Sequence, residues 1–412
     1  MIKYFLPLFA IVIFSCSQET ESQQVSETIE PIEVIEETWL FKITLIDSVV
    51  LPLKVTSVKG DELNFTIHNA EETIALKNIH LKGDSIFMEM PVFQTGFEGV
   101  YNGTTMSGVL VKYDAVDYRV PFTAQKTELD NTSLKEPCCN INKRYKVLFR
   151  PGQESETEAI GEFKQTGNTV SGTFMTETGD YRYLSGTLEG DLMKLSAFDG
   201  NHLYVFKAEV NGDGSMNGMF FSGKTRADKW IAEINNEFQL ADPNKLTYLK
   251  EGETELGFAF NTTQEERIEY SKEKYLGKVV ILQILGSWCP NCMDESKFLQ
   301  KQFSKHKEEG LEIIGLAFER KRDKGPSYKA IDKMVEDIGM TYPVVFAGST
   351  RMEDRENALP QLNKIMSFPT SIYINKKGEV VKIHTGFAGP GTSEYESFVS
   401  ETEELIQSML SE

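Results

Sequence analysis

The sequence predicts a multidomain protein: an N-terminal all-β antiparallel sandwich or barrel with an internal repeat, followed by a C-terminal α/β domain. Three features predict it. Glycine-centred turns recur at a fixed spacing through the first half of the chain. Beyond about residue 253, buried-strand patterns alternate with helical ones. Two cysteines three apart, Cys289 and Cys292, stand where one such strand pattern gives way to a helix pattern.

The N-terminus reads Met1-Ile2-Lys3, an apolar stretch from Tyr4 to Phe14, then Ser15-Cys16. One positive charge ahead of an apolar run too short to span a bilayer predicts a signal peptide over 1–15. Its end, Ile13-Phe14-Ser15-Cys16, resembles a bacterial lipoprotein signal. That resemblance implies cleavage before Cys16, lipid on its sulfur and a place in the cell envelope facing the periplasm. Ordinary secretion with Cys16 unmodified is the alternative. Ser17 rather than Asp after the lipid cysteine leans towards the outer membrane. Residues 16–38 form an acidic tether: 17–38 carry seven glutamates and no Lys or Arg, too little apolar surface to fold.

With 412 residues and 40% hydrophobic content, the chain has room for roughly two or three domains. The net charge of −19 argues against nucleic acid and against polybasic membrane attachment. A solvated acidic surface accounts for it, so it says little about substrate.

The β-rich region, 39–240, contains one unit twice, at about 39–130 and 144–237. Lys59-Gly60-Asp61 matches Thr166-Gly167-Asn168, and Lys82-Gly83-Asp84 matches Glu189-Gly190-Asp191, both 107 residues apart. Met106-Ser107-Gly108 matches Met216-Asn217-Gly218 at 110. These read as three matched turns with alternating strands between them. One closed, two-lobed unit, each repeat giving half the strands, hides edges better than two small sheets. No compact set of acids and histidines appears in it, which points to scaffolding or recognition. Cys138-Cys139, between the repeats, reads as two buried free thiols or bridges to separate partners, because adjacent cysteines close a strained ring. A second redox station exchanging with Cys289 and Cys292 is the sharper alternative.

The apolar run Val279–Leu285 is a fully buried strand, and Phe298, Leu299 and Phe303 keep helical spacing after Cys292. Cys289 therefore falls in the first turn of a helix, where free N–H groups and the dipole favour a thiolate, the nucleophilic form of cysteine. Structural zinc needs four ligands, and no second CxxC or paired histidine motif exists; His68, His80, His202, His306 and His384 are scattered. An inert disulfide over so short a loop would restrain little of the unfolded chain. The motif therefore predicts a reversible Cys289–Cys292 disulfide, with no metal and no cofactor beyond the cysteine pair.

The domain at 253–412 continues with a strand at Leu311–Phe318 and a helix marked by Ile331, Met334, Val335 and Ile338. A strand at Tyr342–Phe346, a hairpin of Ser371–Asn375 with Glu379–His384, and a helix from Glu394 to Leu410 complete it. Trp288-Cys289-Pro290-Asn291-Cys292 and Phe368-Pro369-Thr370 together resemble the TlpA/ResA-type thioredoxin-fold thiol-disulfide oxidoreductases of the bacterial envelope. The resemblance covers about 150 residues and leaves the β-rich half outside it.

It implies that Cys289, the more exposed sulfur, attacks a substrate disulfide and Cys292 resolves the mixed disulfide. It implies a cis Pro369 beside that pair, leaving a backbone edge for an extended substrate, and Trp288 packed against it. Glu295, three residues after Cys292, moves a proton or merely suits the helix N-terminus. Thioredoxins proper carry an aspartate six residues before the first cysteine; Gln283 stands there and cannot titrate. Pro290-Asn291 lacks the histidine of strongly oxidising centres, favouring a reductase of envelope proteins fed by an envelope or membrane electron donor. The rivals are an oxidase or isomerase, a peroxiredoxin, which would need Pro-x-x-x-Thr-x-x-Cys, and a binding lipoprotein whose thioredoxin fold only docks.

Overall fold

The computed structural model describes residues 35–60, 63–127 and 134–412. The signal segment, Cys16 and the tether up to residue 34 lie outside the described residues. The first strand, Ile35–Thr44, begins before Trp39, because residues 35–38, the end of the expected tether, pair with Thr56–Lys59 of the next strand.

Each β repeat builds its own nine-stranded antiparallel sheet. In the second, Thr157–Thr166 and Thr169–Thr176, from opposite sides of the strand order, also pair and close a barrel. In the first, the end strands Glu72–Ala75 and Lys77–Lys82 are joined through Leu76 alone, so that sheet curls back on itself as well. The region is two-lobed, as the repeat implies, but the lobes do not merge into one closed unit. A run of hairpins long enough to close on itself removes its own edges. Trp39, Phe41, Phe97 and Phe122 fill the first lobe; Tyr145, Phe149, Phe174, Phe206 and Trp230 fill the second. Buried Asn69 joins them, donating to the Phe198 carbonyl at 2.9 Å and accepting from its N–H at 3.2 Å.

Gly167, Gly83 and Gly190 have positive φ at hairpin turns, as the repeat predicts. The third matched pair is different. Gly108 and Gly218 lie inside the strands Thr105–Lys112 and Met216–Ser222, where a Cβ would collide with the Glu98 carbonyl and the Trp230 ring. Close approach rather than turning requires those glycines.

The C-terminal domain is a seven-stranded mixed sheet. Val279–Leu285 sits centrally, parallel to Leu311–Glu319 and antiparallel to Thr370–Ile374. Helices α1 (Pro290–His306), α2 (Lys324–Ile338) and α4 (Tyr395–Ser411) bury Phe298, Leu299, Ile331, Met334, Phe398 and Ile406 against one face. The short α3 (Met352–Ala358) lies on the other face with Leu256 and Leu359. The hairpin Phe258–Thr262 with Arg267–Tyr270 extends the sheet beyond Val344–Ser349. That hairpin and α3 carry too little periodicity to stand out in the sequence. Among the described residues no helix is long and apolar enough to cross a membrane.

Candidate active site

Strand, turn and helix place the two cysteines as their spacing requires. Cys289 is the N-cap of α1, with extended backbone, and its sulfur accepts the Cys292 N–H at 3.3 Å. Pro290 occupies the first helical position, where a missing N–H costs nothing. The Cys289 thiol also reaches the Phe368 carbonyl at 3.4 Å, and the Phe368–Pro369 peptide is cis. All four described cysteines are unbridged.

Exposure departs from the sequence reading. Cys289 is only 5% exposed and Cys292 is fully buried. Residues of the β region bind the loop around it, Asn201 at the Trp288 carbonyl and Arg182 at the Pro290 carbonyl, which the local motif could not reveal. Burial, followed by the neighbouring Cys289 sulfur, pushes the Cys292 thiol well above the usual cysteine range.

Trp288 anchors one flank. Its indole N–H donates to the Phe318 carbonyl at 3.0 Å, its ring meets Phe368 edge-on at 5.6 Å, and Arg320 lies 5.0 Å from its centroid. A side chain at Gly286 would come within 2.6 Å of the Trp288 ring. Gly286→Ala is therefore expected to displace the indole and cost about 1–3 kcal/mol, measured by urea unfolding; unchanged stability would contradict this packing.

Behind the cysteines lies a buried polar network. Glu295, 1% exposed, accepts from Gln283 Nε2 and Ser371 Oγ, each at 2.9 Å. Gln283 Oε1 in turn accepts from Ser296 Oγ at 3.1 Å and Tyr342 OH at 3.0 Å. Burial raises the Glu295 carboxyl to about 7, against the two hydrogen bonds that lower it. Gln283 thus orients a carboxyl that titrates near neutrality. A lone amide inside an apolar strand was the available signal for this network; Ser371 and Tyr342 gave none.

Cys138 and Cys139 are elsewhere. Their sulfurs lie 3.0 Å apart, and the Cys138 N–H bonds the Gly190 carbonyl. Cys138 is exposed, not buried, and Cys139 packs on the core of the second lobe, whereas Cys289 and Cys292 belong to the cluster of the C-terminal domain. The geometry does not bring them together. Among the described residues no cluster of three or more His, Cys, Asp or Glu could hold a metal ion.

Comparison with known proteins gives the setting. Residues 256–383 match the AhpC/TSA family. The thiol-disulfide oxidoreductase ResA of Halalkalibacterium halodurans is 30% identical over 135 residues, 33% of this chain and 68% of the relative. That of Bacillus subtilis is 30% identical over 138 residues, 34% of this chain and 69% of the relative. Among solved structures, a putative thiol:disulfide interchange protein DsbE from Chlorobium tepidum is 20% identical with a TM-score of 0.31, covering 40% of this chain and 99% of its own. A putative protein disulfide isomerase from Bacteroides thetaiotaomicron is 22% identical with a TM-score of 0.30, covering 40% and 93%. On the strength of the two relatives matched over more than two thirds of their length, the chain belongs to the TlpA/ResA-type thiol-disulfide oxidoreductases.

Proposed function

We propose that Cys289 and Cys292 form the redox centre and that the enzyme reduces disulfides of envelope proteins. The observation that carries this is the Cys289 sulfur at the N-cap of α1, accepting the Cys292 amide. An N–H donor aimed at a sulfur at a helix N-terminus fixes that sulfur at the mouth of the CxxC loop. The thiolate attacks one sulfur of the substrate disulfide, forming a mixed disulfide and releasing a substrate thiolate. Cys292, once deprotonated, attacks the Cys289 sulfur; the Cys289–Cys292 disulfide forms and the second substrate thiolate leaves. Two electrons pass to the substrate, and an envelope or membrane dithiol donor restores them. Glu295, one turn along α1 from Cys292, accepts the Cys292 proton; each of its oxygens takes one hydrogen bond, from Gln283 or Ser371, and keeps a lone pair for it. No cofactor beyond the cysteine pair is required.

Lipid on Cys16 and the acidic tether would hold this centre at the periplasmic side of an envelope membrane. Trp288, Phe368 and Pro369 frame the sulfur, and Pro290 fixes the helix start. The direction of electron flow rests on Pro290-Asn291 between the cysteines. Equilibrating the protein with glutathione tests it: a potential nearer −270 than −120 mV is expected, on the scale from about −270 for thioredoxin to about −120 for a strong oxidant. A value at the oxidising end would make the enzyme a disulfide donor instead.

A further inference from the structure

The β lobes do more than adjoin the cysteine centre. Three of their segments bind the loops around it. Val92 and Phe93 of the first lobe share a hydrophobic cluster with Cys289, Cys292, Phe368 and Phe387. From the second lobe, Asn201 donates to the Trp288 carbonyl at 2.5 Å and is itself held by Lys112 Nζ of the first lobe at 2.9 Å. The third segment, Thr178–Arg182, runs across the loops that flank the sulfur. The Thr178 carbonyl accepts from Ser367 Oγ at 2.8 Å, and Asp180 Oδ2 accepts from the Gly389 N–H at 2.9 Å.

Arg182 fastens this segment. It is 4% exposed and donates to the Pro290 carbonyl, inside the CxxC loop, at 3.3 Å. It pairs with Asp294 in the first turns of α1 and with Glu72 of the first lobe. One guanidinium thus ties both lobes to the helix that carries the centre. Arg182 and Val92 both have positive φ, a conformation that non-glycine side chains rarely adopt and a β-branched one least of all. Next to Arg182, Tyr181 packs into the aromatic core of the second lobe, so the segment moves with that lobe.

Resting on the redox role of Cys289, we propose that the β lobes are an intramolecular cap: Thr178–Arg182 occupies the approach to Cys289, Arg182 latches it, and a protein substrate reacts only when the cap withdraws. The reactive fraction is then set by a closed–open equilibrium rather than by the sulfur alone. Anything that binds the outer face of the lobes in the open state would activate the enzyme.

The test uses the full chain with Cys138→Ser and Cys139→Ser, so that only the centre reports. Iodoacetamide alkylation of reduced Cys289, followed by peptide mass mapping, is expected at least about tenfold slower in the native protein than in the urea-unfolded chain. Arg182→Gln and, separately, Asn201→Ala are each expected to speed native alkylation by about tenfold, with near-ultraviolet dichroism verifying the fold. Native alkylation as fast as in urea, or unchanged in every variant that folds, overturns the cap. Should both variants fail to fold, hydrogen exchange on the Cys292→Ser chain decides. A trapped peptide on Cys289 is expected to expose the amides of 177–182 and 199–202, and continued protection overturns the proposal. Insulin reduction is read in parallel. Faster alkylation without insulin reduction removes the proposed activity and leaves the cap standing; reduction without faster alkylation removes the cap alone.

Discussion

Cys289→Ser is expected to lower insulin reduction to the background of the dithiol reductant alone, a loss on the order of 10²-fold or more. Cys292→Ser should lose turnover to the same extent by a different route. Cys289 would still attack, and with no resolving sulfur the mixed disulfide would persist as an adduct on a non-reducing gel that dithiothreitol dissolves. The asymmetry follows from position. Cys289 caps α1 and touches the Phe368 carbonyl, whereas Cys292 is fully buried one turn inside the helix with its thiol pushed well up by burial. Only the first sulfur can meet an incoming disulfide, and only once its cover moves. If the adduct instead formed on Cys292 in the Cys289→Ser protein, the assignment of attacking and resolving sulfurs would be reversed. Equal turnover in wild type and both variants would remove the dithiol mechanism altogether.

How much of this was legible in the sequence depends on whether the information is local. The strand Val279–Leu285 was bounded by its own apolar run and runs between the residues that the pattern marks. The same holds for α2, whose Ile331 and Met334 face the core. Cys289 and Cys292 were readable because a dithiol at a helix start needs fixed spacing, and Trp288 and Pro369 because the segments around them resemble the family's. The repeat was readable because hairpin glycines recur, although Gly108 and Gly218 serve close strand contact rather than turns. What could not be read was non-local. Arg182 and Asn201 lie over 80 residues before the centre, in a region with no catalytic pattern, and meet it only through the packing of two lobes on a third domain. Val92 and Phe93 of the first lobe join the cluster that buries Cys289, so an exposed sulfur was the natural expectation from the motif alone. Likewise each lobe closes upon itself because of strand pairings between distant segments, which periodicity does not encode.

Glu295→Gln is expected to change both the stability and the rate profile with pH, and the signs are fixed by burial. In the folded chain the carboxyl titrates near 7, raised by burial from an ordinary value of 4.5. Below about pH 4.5 it is protonated in both folded and unfolded chains and places no charge in the core. Between 4.5 and 7 the folded state alone keeps the proton, so stability falls as pH rises, and it levels off above 7. A shift of that size corresponds to roughly 3 kcal/mol, seen as a declining urea midpoint across this window. Glutamine cannot ionise, so the variant should lose that slope and become the more stable form at pH 8, less the cost of one unpaired amide donor beside Gln283. The rate should move the other way. Resolution by Cys292 needs an acceptor for its proton, present when Glu295 is ionised, so wild-type release of the mixed disulfide should rise through pH 7. The variant should lack that inflection and release more slowly by on the order of 10²-fold, read by rapid quench with a disulfide-linked peptide. A variant that loses the stability slope but keeps the inflection would confine Glu295 to supporting Gln283 and Ser371. One that keeps the slope would show that a different buried group titrates in this window.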